Sequence, residues 1–167
     1  MKKTLRLILG DQLNAQHSWF QKVDKNIIYI LFEMRQETDY VHHQIQKVVA
    51  FFASMENFAK QLKGKTHQVI YWKLDDKKNV GSLVENLKLV IDENKIEHFE
   101  YQLPDEYRLD EQLKNFCKAI KISSKVFDSE HFMSTRFELH DFFKGKKTYL
   151  MESFYRSMRR KYDLMMD

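Results

Sequence analysis

The sequence predicts an α/β fold: a five-stranded, mostly parallel sheet with helices on both faces. Five short runs rich in Ile, Val, Tyr and Phe recur along the chain, and stretches with helical spacing lie between most of them. Alternating β and α elements of this kind give a parallel sheet wound by right-handed crossovers. At 167 residues, 43% apolar and 14% aromatic, the chain is long enough and apolar enough for a packed core.

The elements follow in order. The first strand is expected at Thr4–Leu9; it stops at Gly10 and turns straight into Asp11 and Gln12. The second, Asn26–Glu33, leaves the same way into Met34-Arg35-Gln36-Glu37-Thr38-Asp39-Tyr40. From Val41 a helix is expected, because Ile45, Val48, Val49, Phe52, Met55, Phe58, Ala59 and Leu62 recur at three- and four-residue intervals. Gly64 sits where that helix would stop. A third strand, Gln68–Leu74, runs into Asp75–Asn79, which reads as a solvated loop. Ser82 is placed to N-cap a helix carrying Leu83, Leu87, Val90 and Ile91. The fourth strand is His98–Leu103; after Pro104-Asp105-Glu106 comes a helix with Leu109, Leu113, Phe116, Cys117 and Ile120. The fifth strand is Lys125–Asp128, Phe132–Gly145 is aromatic and irregular, and Thr148–Met166 reads as a last helix. That helix carries more aromatic surface than a terminal helix normally exposes, so the chain divides into 1–147 and a helix, 148–167, leading elsewhere.

The net charge of +4 is local. Residues 144–161 hold seven Lys or Arg against Glu152 alone, and the rest of the chain is slightly acidic. Such a stripe can meet phosphate, but it also reads as a solvated helix face or the side toward a neighbour. One cysteine excludes an internal disulfide and an all-cysteine metal or iron–sulfur site built from this chain alone. There is no phosphate loop, GxGxxG fingerprint or GxSxG elbow. His42-His43 lacks a second ligand cluster and reads as part of a first helical turn, and Cys117 lies on an apolar helix stripe. No apolar run approaches the roughly 20 residues of a membrane span. Met1-Lys2-Lys3 leads into a strand rather than a signal peptide, so a cytoplasmic protein with no membrane partner is expected.

What remains is a cleft at the carboxyl ends of the strands, where open α/β sheets bind ligands. Gly10–Gln12, Glu37–Tyr40 and Pro104–Tyr107 would line it. Tyr40 and Tyr107 offer flat faces to a planar ring, and Asp11, Gln12 and Glu37 offer directional donors and acceptors to its polar edges.

Four segments carry a resemblance to a known family: LILGDQL, FEMRQETDYVHHQIQKVVAFFASMENFAKQL, DEYRL and YLMESFYRSMRRKYDLMMD. Across the whole chain they resemble the N-terminal region of deoxyribodipyrimidine photolyase-related proteins, the bacterial iron–sulfur cryptochrome/photolyases that include the prokaryotic (6-4) photolyases. The resemblance implies a Rossmann-like antenna domain that binds 6,7-dimethyl-8-ribityllumazine. Gly10, Asp11 and Gln12 would border that pigment and Glu37 and Tyr40 would contact it; Asp105, Glu106 and Tyr107 are added from topology. It also implies a larger helical domain, beyond this chain, that carries FAD, a 4Fe–4S cluster and the site for damaged DNA. On this reading the chain harvests light and does not repair DNA alone. Two other readings stay open. One is an adenine-nucleotide-binding α/β module, although no phosphate-gripping glycine or lysine cluster lies near Gly10. The other is an interaction module that docks a partner through its last helix.

Overall fold

Five parallel strands form one sheet in the computed structural model: β1 (Thr4–Leu7), β2 (Ile27–Phe32), β3 (Gln68–Trp72), β4 (His98–Gln102) and β5 (Ser123–Phe127). Their order is β3-β2-β1-β4-β5, and every pairing is parallel. The helices are α1 (Ile45–Gly64), α2 (Leu83–Asn94), α3 (Tyr107–Ala119), α4 (Glu138–Phe143) and α5 (Met151–Tyr162). The structure describes residues 2–37 and 43–165. By contacts the chain forms two units, Met1–Ser129 and Glu130–Asp167.

Alternation along the strands builds two cores, one on each face of the sheet. Leu5, Leu7, Ile28, Ile30, Phe32, Phe99 and Tyr101 pack with Leu83, Leu87 and Val90 of α2 and Leu109, Leu113 and Phe116 of α3. On the other face Ile8, Tyr29 and Leu31 meet Met55, Phe58, Ala59 and Leu62 of α1, together with Trp19 and Phe20 from a 3-10 turn at Ser18–Phe20. The helices therefore cover both faces, as the alternation predicts.

Boundaries differ where local pattern and packing disagree. The helix expected from Val41 begins at Ile45, with extended Gln44 as its N-cap. Ile45 and Val49 are 68% and 59% exposed, so the apolar periodicity runs beyond the part that packs. His43 precedes the helix rather than lying in its first turn, and Val41 and His42 fall outside the described residues. β5 begins at Ser123 because its backbone pairs with His98 there, although Ser123, Ser124 and Lys125 bury little. Ser82 caps α2 as expected, accepting from the Glu85 N–H at 3.5 Å. The stretch Phe132–Gly145 contains α4, and α5 starts later than Thr148 and stops at Tyr162, capped by Asp163 in the left-handed region (φ 53°); the expected end, Met166, lies outside the described residues. Within the second unit, buried Phe154 packs against Phe142 (5.3 Å between ring centres) and Phe143 (6.4 Å). Among the described residues no helix is long and apolar enough to cross a membrane.

Candidate functional site

Sheet order fixes where a ligand can enter. The chain winds outward from β1 to β2 and β3, then returns to the other side of β1 for β4 and β5. The strand order reverses between β1 and β4, and the crevice outside that switch point is the default binding position of an open α/β sheet.

Gln12 organises this point. Its backbone N–H donates to Leu9 O (3.0 Å), closing a tight turn around Gly10 and Asp11. Its side-chain Oε1 accepts the Leu9 N–H at 3.1 Å, and Nε2 donates to the carbonyls of Gln102 (3.3 Å) and Leu103 (3.4 Å). One buried amide thus satisfies backbone groups that the strands leave open on β1 and on β4. Gln12 is a staple across the switch point, and its polar atoms are engaged within the protein. Asp11 beside it is exposed, while Gly10 is buried.

The β2 exit lies nearby. Met34 is buried in the core facing α2 and α3, and Arg35–Glu37 forms a 3-10 turn. The Gln36 amide donates to Gln112 Oε1 on α3 at 2.8 Å. Glu37 closes that turn, whereas Tyr40 lies outside the described residues. The third wall comes from the β4 exit: Pro104 is buried, Asp105 exposed, and Glu106 is the N-cap residue of α3, without a side-chain cap bond. Glu106 pairs with Arg108, and Tyr107 is 76% exposed. Asp110, buried in the first turn of α3, pairs with Lys114 at 3.0 Å. Acidic groups here face the positive end of the helix. The structure therefore gathers Gly10–Gln12, Arg35–Glu37 and Asp105–Tyr107 at one edge of the sheet.

Sequence reasoning missed four residues. Glu33, at the exit of β2, is a tie between strands: Oε1 accepts from the Tyr71 hydroxyl (2.5 Å) and Oε2 from the Leu74 N–H (2.9 Å). Burial, aided by that carboxylate, pushes the Tyr71 hydroxyl pKa well up. Asn79, taken as part of a solvated loop, is a hub: Nδ2 donates to Glu33 O (2.8 Å) and Lys73 O (2.9 Å), and Oδ1 accepts from the Asn86 amide (2.8 Å). Fully buried His17 accepts the Trp19 N–H at Nδ1 (3.1 Å), so Nε2 carries the proton that it donates to Asp128 O (3.0 Å). Gln102, the last residue of β4, is fully buried, and neither atom of its side-chain amide has a hydrogen-bond partner. β4 reads His98-Phe99-Glu100-Tyr101-Gln102, so Gln102 falls in the polar phase with His98 and Glu100, and no sequence signal marks it as buried.

A second concavity lies at the β3 edge, between Glu56, Lys60, Lys63, Tyr71, Lys73 and Asp76. Glu56 pairs with both Lys60 (3.1 Å) and Lys73 (3.2 Å), which neutralises much of its positive charge. Among the described residues no group of three or more His, Cys, Asp and Glu could hold a metal ion.

The sequence profile of the deoxyribodipyrimidine photo-lyase-related protein family matches residues 6–167. A (6-4) photolyase of Agrobacterium fabrum is 34% identical over 164 residues, which is 98% of this chain and 32% of that protein. The chain thus spans about a third of the length of the relative it matches.

Proposed function

This chain belongs to the family of deoxyribodipyrimidine photo-lyase-related proteins, and on that premise we propose that it is the light-harvesting part of a longer photolyase- or cryptochrome-like flavoprotein. It holds 6,7-dimethyl-8-ribityllumazine at the switch point between β1 and β4. FAD, a 4Fe–4S cluster and the site for damaged DNA, a (6-4) photoproduct in the repair reading, belong to a further domain that this chain would serve.

The observation that carries the reading is the convergence of three strand exits, Gly10–Gln12, Arg35–Glu37 and Asp105–Tyr107, on one crevice. Their mixture of exposed aromatic surface and carboxylates suits a planar pteridinedione, whose flat faces are apolar and whose edge carries carbonyls and an imide N–H. When bound, the lumazine supplies an absorption band from which excitation passes to the flavin without bond chemistry. The protein's share is binding and orientation. Asp11 and Glu37 act as hydrogen-bond partners rather than as general acids or bases, and Tyr40 and Tyr107 supply ring faces. The Gln12 staple holds the β1 turn against β4, so that these groups keep their spacing.

The test is a titration of the purified chain with lumazine, with ATP in parallel, followed by absorption. A shifted lumazine band is expected, weakened by about tenfold or more in affinity in Glu37→Ala and in Tyr40→Ala. A lumazine spectrum identical to that of the free pigment would overturn the proposal, and saturable ATP binding in its place would support a nucleotide-binding module.

A further inference from the structure

We propose that Gln102 reads the pigment: its side-chain amide, with the indole N–H of Trp19, pairs with the imide edge of the bound heterocycle. This rests on the pigment-binding reading above and deepens it by naming groups on β4 and on the Ser18–Phe20 turn that no motif singles out.

Gln102 is fully buried, and both Nε2 and Oε1 lack a partner. Buried polar atoms are nearly always paired, and an amide that makes none of its bonds destabilises the fold that contains it. For folding alone, an apolar side chain of the same size would serve better at this position. Trp19 shows the same anomaly: it is 3% exposed, and its Nε1 is a buried donor without an acceptor.

The two lie in one layer. Strand alternation puts the Gln102 side chain on the face that bears Glu100 and, across β1, Arg6. Phe127 stands beside Gln102 in the β4–β5 register, and the Trp19 ring meets Phe127 edge-on at 5.5 Å. Together Gln102 and Trp19 offer two kinds of donor and one acceptor: amide N–H, indole N–H and amide carbonyl. An imide edge carries two carbonyls flanking one N–H, which is the complement in number and kind.

Gln12 covers this end of β4. Its two bonds to the Gln102 and Leu103 carbonyls, 3.3 and 3.4 Å, are long for N–H···O contacts, while its Oε1 accepts the Leu9 N–H at 3.1 Å. On this proposal the Gln12 amide gives up those two long bonds to the arriving heterocycle, while its bond to Leu9 keeps the β1 turn in place.

The experiment uses the purified chain, its Gln102→Met variant and Trp19→Phe, which keeps a ring but removes the N–H. Thermal melting is measured without ligand, and lumazine and riboflavin, which share the imide edge, are titrated by fluorescence. Gln102→Met is expected to melt higher than the parent chain and to bind lumazine about tenfold or more weakly, and Trp19→Phe to bind more weakly as well. Binding of riboflavin instead, with the same loss in Gln102→Met, supports imide recognition with a flavin as the occupant. Unchanged lumazine affinity in Gln102→Met overturns the proposal and assigns the amide to a buried water. A lower melting temperature in that variant also overturns it, because the amide then has a structural partner in the ligand-free fold. Failure of the parent chain to bind either ring overturns the pigment-binding reading itself.

Discussion

Arg6 and Glu100 face each other across β1 and β4 as an ion pair in the interior of the sheet. Nε and Oε2 are 2.7 Å apart, with side chains 14% and 10% exposed. The pair is well supported: the Tyr29 hydroxyl accepts from Arg6 Nη1 (3.1 Å) and donates to Trp19 O (2.7 Å), and the guanidinium lies 4.8 Å from the Trp19 ring centre. Burial pushes the Tyr29 hydroxyl pKa up, and the adjacent guanidinium opposes that rise. Removing one partner strands the other charge, so Arg6→Leu is expected to cost about 3–5 kcal/mol, and Arg6→Leu with Glu100→Leu far less. Urea unfolding of the single and double variants checks this; equal losses in both would show that packing, not charge, holds the site. Neither residue was legible as a partner beforehand. The apolar neighbours Leu5, Leu7, Ile8 and Leu9 mark a strand by local alternation, but the residue opposite Arg6 depends on which strand becomes its neighbour. The same limit applied to Gln102, whose isolation follows from tertiary packing.

Helices show how far periodicity reaches. The core-facing positions of α1, α2 and α3 were legible because their apolar spacing matches one buried stripe: Leu109, Leu113 and Phe116 of α3 are all buried. Ends were less so, since Ile45 and Val49 continue the pattern of α1 without packing. In the basic stretch 144–161, which could meet phosphate or serve as a solvated face, several residues are engaged locally: Lys161 with Glu138 (2.7 Å), Arg156 with Glu152 (2.5 Å) and Lys146 over the Phe142 ring (3.3 Å). Burial of Phe154 is what anchors the helix. Phe154→Ala is expected to remove about 3–5 kcal/mol from that packing. Hydrogen exchange should then show α5 amides losing protection while those of β1 and β2 keep theirs. Unchanged protection in α5 would mean that its anchor lies elsewhere.

At the scale of the molecule, the fold class was legible, because alternating strand-like and helix-like runs are local signals. The bonds that set the Gln12 amide against the Gln102 and Leu103 carbonyls were not, since they depend on contacts distant in the chain. Stability against acid is also a property of the assembled core. His67 is 6% exposed, with the rings of Phe20 (6.1 Å) and Tyr29 (5.3 Å) against it, and burial lowers its pKa below 6.5. The unfolded chain therefore takes up a proton at His67 before the folded chain does. This contribution is intact above about pH 6.5 and is lost as pH falls below it, levelling off once the folded-state pKa is passed. Urea midpoints measured from about pH 7.5 to about pH 5 should decline in the parent chain and decline less in His67→Phe. An identical decline in both would place the acid sensitivity on other groups.

The central place of β1 has a consequence for how the chain is made. Of the five strands, the one synthesised first has neighbours on both sides, and its partner in β4 stands 94 residues further along. Until that residue leaves the ribosome, one edge of an apolar strand has nothing to pair with, a state that invites misassociation. Completion of the sheet must await a contact distant in the chain, and such contacts slow folding. Pulse-labelled exchange during refolding should find the β1–β2 amides protected before those linking β1 to β4.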